Sequence, residues 1–245
     1  MENRRLIFCG DIHGNLKQLV YELKRLDIKN TNLIILGDFG AGFGGPNSVK
    51  VMYSEVVKIL DANDIIIYAM RGNHDCPEFF DGLHDFERLI FIQDHKILNL
   101  SGQLIYPIGG ATSVDIDFKD PRTGRSRRDD NENFKRRGSR RRCWWPNETL
   151  NPNKNLPHNI NIIISHTAPL SFPPVLDIEK DYLREETRES IIKEREYLDY
   201  VLENLKPSYW FYGHYHQSYV GNIGNTLYRC LGIQELYEFY VDQEV

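Results

Sequence analysis

The chain has too few cysteines, too widely scattered, for a covalent framework. Cys9, Cys76, Cys143 and Cys230 form no CxxC or other paired spacing. That argues against a disulfide scaffold and against a zinc finger. Free thiols in a reducing compartment are the simpler reading. Long apolar runs are missing too. No stretch approaches the roughly 18 apolar residues that a membrane-spanning helix needs. The apolar run after Arg5 is too short for the core of a secretion signal and leads straight into a polar block. A cytoplasmic protein without membrane association is therefore expected. Nor is there a large excess of one charge: the net charge of -5 does not mark the whole chain as a nucleic-acid binder. What remains is ordinary globular material, 41% hydrophobic and 27% charged over 245 residues, enough for one sizeable core.

Residues 6–9 are a short apolar run closed by Gly10, as a buried strand would be. Leu16, Leu19, Val20, Leu23 and Leu26 then recur at helical spacing. The same unit returns as a strand at 33–36 and a helix carrying Val49, Met52, Val56, Ile59 and Leu60. Residues 65–70 add a third strand. This alternation predicts βαβ units with parallel strands. Residues 89–92, 96–100 and 103–108 read instead as an antiparallel meander, so the sheet system should be mixed. Further strands are expected at 160–164, 209–212, 219–223, 227–231 and 236–241. A helix over 186–205, apolar on one face and closed by Pro207, is expected to pack on the core. With no internal repeat and no linker, one domain over 1–245 is the organisation expected.

One segment breaks the pattern. Residues 119–142 crowd eleven arginines and lysines with almost no apolar residue, and read as an exposed loop insertion. Trp144 and Trp145 follow and suggest an anchor at its base. Residues 122–142 read either as a solvated insertion or as an electrostatic footprint for nucleic acid or an anionic substrate. Only Phe134 sits among the basic residues, which weakens a single-strand binding reading.

The chemistry-bearing residues stand in five blocks, each just after an apolar strand. They are Gly10-Asp11-Ile12-His13-Gly14-Asn15, Gly37-Asp38, Gly72-Asn73-His74-Asp75, Ser165-His166 and Gly213-His214-Tyr215-His216. Sites in open α/β sheets gather at the carboxyl ends of the strands, so the five blocks should meet at one edge. Asp11 and His13, like His214 and His216, are two apart, and in extended backbone such pairs share a face. Four imidazoles, two carboxylates and one amide oxygen can converge. Mixed nitrogen and oxygen donors suit Mn, Fe, Zn, Co or Ni. Seven donors are too many for one tetrahedral ion and fit two ions sharing a carboxylate. Two ions about 3.5–4 Å apart can clamp the attacking and leaving oxygens of an in-line displacement and lower the pKa of a bound water. Any single histidine after a strand is usually a satisfied structural residue. Here five of the eight, His13, His74, His166, His214 and His216, fall at strand ends. His84, His95 and His158 lie outside the blocks and read as surface residues.

The ordered set GDIHG, GD, GNHD, SH and GHYH resembles the calcineurin-like metallophosphoesterase superfamily, from Asp11 to His216. The resemblance implies an α/β fold of two mixed β-sheets packed face to face and flanked by helices. It implies two divalent transition-metal ions, Mn²⁺ first, with Fe, Zn, Co or Ni as alternatives. Asp11, His13 and His216 would hold one ion, Asn73, His166 and His214 the other, and Asp38 would bridge them. His74 would sit near the leaving-group oxygen as general acid or phosphate contact. Arg71 and Asp75 flank it as further catalytic candidates, orienting it or the phosphate. The activity implied is hydrolysis of a phosphate mono- or diester by metal-bound hydroxide. The second block, 37–43, lacks the Asp and Arg of the protein Ser/Thr phosphatase branch, which demotes protein substrates. The run 108–113 with Trp144-Trp145-Pro146 resembles a bacterial or phage subgroup. A small phosphorylated substrate or a nucleotide is expected. The alternatives are a nucleic-acid-processing nuclease or phosphatase using the arginine-rich loop, and a non-catalytic metal-binding interaction module. The presence of all seven donors and His74 opposes the last. The oligomeric state is left open.

Overall fold

A computed structural model describes residues 4–114, 116–117, 145, 147–174 and 182–240. In chain order the elements are β1 (Arg5–Cys9), α1 (Leu16–Arg25), β2 (Thr31–Ile35), α2 (Ser48–Ala62), β3 (Ile65–Ala69), β4 (Leu89–Phe91), β5 (Leu98–Leu100), β6 (Gln103–Ile108), β7 (Ile162–Ser165), α3 (Glu185–Leu205), β8 (Tyr209–Tyr212), β9 (Tyr219–Ile223), β10 (Thr226–Cys230) and β11 (Leu236–Phe239), with a short 3-10 turn at Pro77–Phe80. They build two mixed sheets. The first runs β11-β1-β2-β3-β4 and the second β5-β6-β7-β8-β10-β9. β1 to β4 are parallel and β11 is antiparallel to β1. In the second sheet β6, β7, β8 and β10 are parallel, flanked by antiparallel β5 and β9.

The strands of the first sheet are apolar at nearly every position because both faces are covered. Their side chains alternate. Ile7, Cys9, Leu33, Ile35, Ile65, Ile67 and Ala69 face the helices, where Leu16, Leu19, Val20, Leu23, Val49, Val56 and Leu60 meet them. Leu6, Phe8, Ile34, Leu36 and Met70 face inward and join Ile105, Ile162, Ile164 and Phe211 of the second sheet. Phe8 and Phe211 stack across this layer, centroids 4.0 Å apart. The second sheet turns Tyr106, Ile163, Trp210 and Tyr212 outward, onto Leu198, Val201 and Leu202 of α3. The result is two sheets face to face with helices outside, the architecture the resemblance implied.

α3 has Glu185 and Glu186 in its first turn, where they suit the helix dipole. Lys206 ends it in a left-handed conformation, its N–H on Leu202 O at 3.0 Å. Its buried face also carries charge. Arg195 is 1% exposed, and its guanidinium donates to the carbonyls of Ala168, Pro169, Phe172 and Pro174.

Some details differ from the sequence reading. Residues 89–91 are not part of an antiparallel meander: β4 lies parallel to β3 in the first sheet, and only β5–β6 is a hairpin. The long connection after β3, with its 3-10 turn, is what lets the chain return in parallel. The strand expected from 160 begins at Ile162, and the last strand ends at Phe239. The basic segment 119–142 and Trp144 lie outside the described residues. No helix among the described residues is long and apolar enough to cross a membrane.

Candidate metal centre

The five blocks follow the carboxyl ends of β1, β2, β3, β7 and β8, and parallel pairing brings these ends to one edge. The local backbone is not the extended one expected. His13, Asp38, His214 and His216 all have left-handed φ, at 44°, 49°, 69° and 55°. These four donors therefore sit on tight turns, not on continued strands. Such conformations are costly for non-glycine residues and tend to mark functional sites. The block glycines serve close approach. At Gly37, with φ 100°, a Cβ would overlap the His166 imidazole; at Gly72 and Gly213 it would overlap the carboxylates of Asp38 and Asp11.

One group of donors is Asp11, His13, Asp38 and His216, whose ligating atoms all lie within 4.8 Å of one another. Asp11 is fully buried. Its Oδ1 accepts the His214 N–H at 3.0 Å, while Oδ2 accepts no hydrogen bond. His216 Nε2 stands 3.2 Å and His13 Nε2 3.9 Å from that oxygen. The two imidazole nitrogens approach each other to 3.0 Å. A buried carboxylate oxygen without a well-formed hydrogen bond, close to two imidazole nitrogens, is a donor set that a cation completes.

A second group adjoins it. Asn73 Oδ1 lies 3.0 Å from His166 Nε2 and 3.0 Å from His214 Nδ1. His166 Nε2 is also 3.3 Å from Asp38 Oδ1, whereas Asp38 Oδ2 faces His13 Nε2 at 3.9 Å. The two oxygens of Asp38 are thus divided between the groups. The other nitrogen of His166, Nδ1, pairs with Leu36 O at 2.8 Å, which turns Nε2 to the centre.

The charges reinforce one another. Burial alone would raise the Asp38 carboxyl, but His166, His74 and His13 outweigh it and hold the group well below the ordinary carboxylate range. Burial lowers His166, and the Asp38 charge more than reverses this, pushing the imidazole up to about 9. Burial and the neighbouring His166 hold His214 well below the ordinary imidazole value. Burial also lowers His13, whereas the Asp11 carboxylate raises His216. His166 and His216 are thus the imidazoles shifted toward the charged form beside the two carboxylates, a role that a bound cation would take over.

The remaining candidates are placed differently. The His74 N–H donates to Asp38 Oδ1 at 2.8 Å, and its half-buried ring lies 5.6 Å from that of His13 and 6.2 Å from that of Phe43. Asp75 is fully buried, and its two oxygens accept the backbone N–H groups of Phe39, Gly40, Ala41 and Gly72 at 2.7–3.0 Å. It ties the second block to the third. Arg71 is 2% exposed. Its guanidinium donates to Asp94 Oδ2 and to the carbonyls of Gly109, Glu148 and Thr149, so it holds backbone.

Outside the blocks, Ser113 touches a donor and Glu148 holds Ser113. Asn73 Nδ2 donates to Ser113 Oγ at 2.8 Å, and the Ser113 N–H donates to Glu148 Oε1 at 2.9 Å. Neither has a spacing in the sequence that would have singled it out. Trp145 is buried against the backbone at Gly42, as an anchor would be. Of the three histidines read as surface residues, His84 and His158 are exposed. His95 is half-buried instead, bonded to Tyr106 Oη and Asn151 O at 2.8 and 2.7 Å.

Comparison with curated proteins finds no match to this chain. Among solved structures, the phosphopantetheinyl hydrolase PptH of Mycobacterium tuberculosis is similar at 12% identity, covering 99% of this chain and 98% of that one, with a TM-score of 0.43. A putative 5′-nucleotidase of Staphylococcus aureus, in complex with alpha-ketoglutarate, is 15% identical over 95% of this chain and 49% of its own, TM-score 0.42. GAP50, the anchor in the inner membrane complex of Plasmodium, is 13% identical over 94% and 72%, TM-score 0.45. The family model for calcineurin-like phosphoesterases matches residues 4–218, a span that includes every donor from Asp11 to His216, and the chain belongs to that family.

Proposed function

We propose that the chain is a dinuclear-metal phosphoesterase acting on a small phosphorylated ester or nucleotide. The observation that carries this reading is the division of Asp38 between two donor groups, one of them holding the buried Asp11 Oδ2 without a hydrogen bond. Asp11, His13, Asp38 and His216 would hold one ion, and Asp38, Asn73, His166 and His214 the other, with Mn²⁺ the first choice over Fe, Zn, Co or Ni. When bound, the ions would supply Lewis-acid charge to the phosphoryl oxygens and lower the pKa of an attacking water.

The rest falls to the side chains. His74 stands at the rim beside His13, where it can give a proton to the departing oxygen, worth about 10²–10⁴-fold in rate. Phe43, half-buried next to it, offers an apolar wall on the leaving-group side. Asp75 and Arg71 act from behind the site by holding its loops. The nucleic-acid reading rests on residues 122–142, outside the described residues, and gains nothing from this geometry.

The test is hydrolysis of p-nitrophenyl phosphate and bis-p-nitrophenyl phosphate with Mn²⁺ or chelator, for wild type and His74→Ala. Metal-dependent turnover that falls in His74→Ala is expected, and the preferred ester separates monoesterase from diesterase. Turnover unchanged by chelator would overturn the reading.

A further inference from the structure

The run after β6 is fixed by buried groups on every side. The Gly110 N–H donates to Arg71 O at 2.8 Å. Thr112 gives its N–H and its hydroxyl to the Glu194 carboxylate, both at 2.9 Å. The Ser113 N–H goes to Glu148 Oε1, and the main chain of Glu148 is held in turn, its carbonyl accepting from Ala111 N–H at 3.2 Å and Arg71 Nη1 at 2.7 Å. Ser113 itself is 1% exposed. Its backbone is thus set in place by Glu148, and its hydroxyl is delivered to Asn73 Nδ2 at 2.8 Å.

That contact has a chemical consequence. A carboxamide has one acceptor end and one donor end, and only the oxygen can ligate a metal. With Nδ2 on Ser113, Oδ1 is the end that faces His166 and His214. Asn73 is 2% exposed, so water is a poor substitute partner for its NH₂ group. Without the Ser113 hydroxyl, a buried N–H would lose its partner and the amide would be free to rotate its oxygen away.

We propose that Ser113, set by Glu148, is a positioning residue for the metal donor Asn73. The proposal rests on the reading of Asn73 as a donor and names what keeps its oxygen turned to the centre. Outer partners of this kind typically change metal affinity by 10–100-fold.

The test is calorimetric titration of Mn²⁺ into the metal-stripped full chain, with bound metal counted by elemental analysis. Wild type, Ser113→Ala, Asn73→Ala, the double variant and Glu148→Ala are compared, and each metal-free thermal midpoint is recorded. Ser113→Ala should weaken one of two ions by about 10–100-fold and leave the other nearly unchanged. Glu148→Ala should weaken the same ion. Adding Ser113→Ala to Asn73→Ala should cost nothing further, since the group it positions is gone. Two outcomes overturn the proposal alone: wild-type affinity in Ser113→Ala while Asn73→Ala loses an ion, or equal weakening of both ions with a lowered midpoint, which is a merely structural role. Wild-type metal binding in Asn73→Ala would instead overturn the donor reading and the proposal with it.

Discussion

Asp75 lies next to the proposed acid His74, yet its geometry assigns it to the scaffold. Its carboxylate accepts backbone N–H groups from Phe39 at 3.0 Å, Gly40 at 2.7 Å, Ala41 at 2.8 Å and Gly72 at 2.8 Å, and no part of it is exposed. Asp75→Ala leaves four buried donors without their acceptor. At about 1 kcal/mol each, the loss is about 4 kcal/mol. One effect works the other way: burial, together with the nearby Asp38 charge, pushes the Asp75 carboxyl up to about 6, so removing it relieves some strain. A net loss of about 3 kcal/mol is expected, a large share of the stability of an ordinary domain. Asp75→Asn keeps one acceptor oxygen and two of the bonds, so its loss should be about half as large. Urea denaturation of the metal-free protein measures both, and the order wild type, Asn, Ala is expected. Asp75→Ala within about 1 kcal/mol of wild type would refute the reasoning. A variant of full stability that has lost only kcat would return Asp75 to a direct part in the chemistry.

Two other substitutions probe the frame of the site. Gly37→Ala places a methyl where the His166 imidazole lies, at a φ of 100° that an L-residue adopts only under strain. It should displace His166 and lose the ion shared with Asn73, at a further cost of about 1–3 kcal/mol in stability; elemental analysis showing full metal content would contradict this. Phe211→Ala removes the ring that stacks on Phe8 between the sheets and should cost roughly 3–5 kcal/mol in the same urea assay. A loss under about 1 kcal/mol would mean that the two sheets do not depend on this layer.

How much was legible in the chain follows from the range of each interaction. The strands of the first sheet were readable because burial on both faces makes residues such as Ile34 and Ile35 apolar alike. The donor blocks were readable because strand ends in parallel sheets converge, whichever residues build the strands. The partner of β4 was not, since three residues, Leu89–Phe91, carry no mark of the strand they will join. The two-residue spacing of Asp11–His13 and His214–His216 suggested extended backbone. Left-handed turns deliver the imidazoles instead, a choice made by contacts such as the His13 and Gly14 N–H groups on Asp38 and Phe39 carbonyls. Ser113 reaches Asn73 from 40 positions along the chain, and Glu148, 75 positions beyond Asn73, reaches it only through Ser113; local sequence cannot reveal bonds of that span. Nor did the apolar face read in the helix over 186–205 include Glu194 and Arg195, which are buried because their partners are backbone groups of loops.

The division of Asp38 between two donor groups is tested most directly by counting metal. Equilibrium dialysis of the stripped chain against Mn²⁺, followed by elemental analysis, should give two equivalents per wild-type chain. Asp38→Ala, which removes a donor from both groups at once, should bind neither ion at the concentration that saturates wild type. One equivalent in wild type, or two retained in Asp38→Ala, would contradict a shared dinuclear centre.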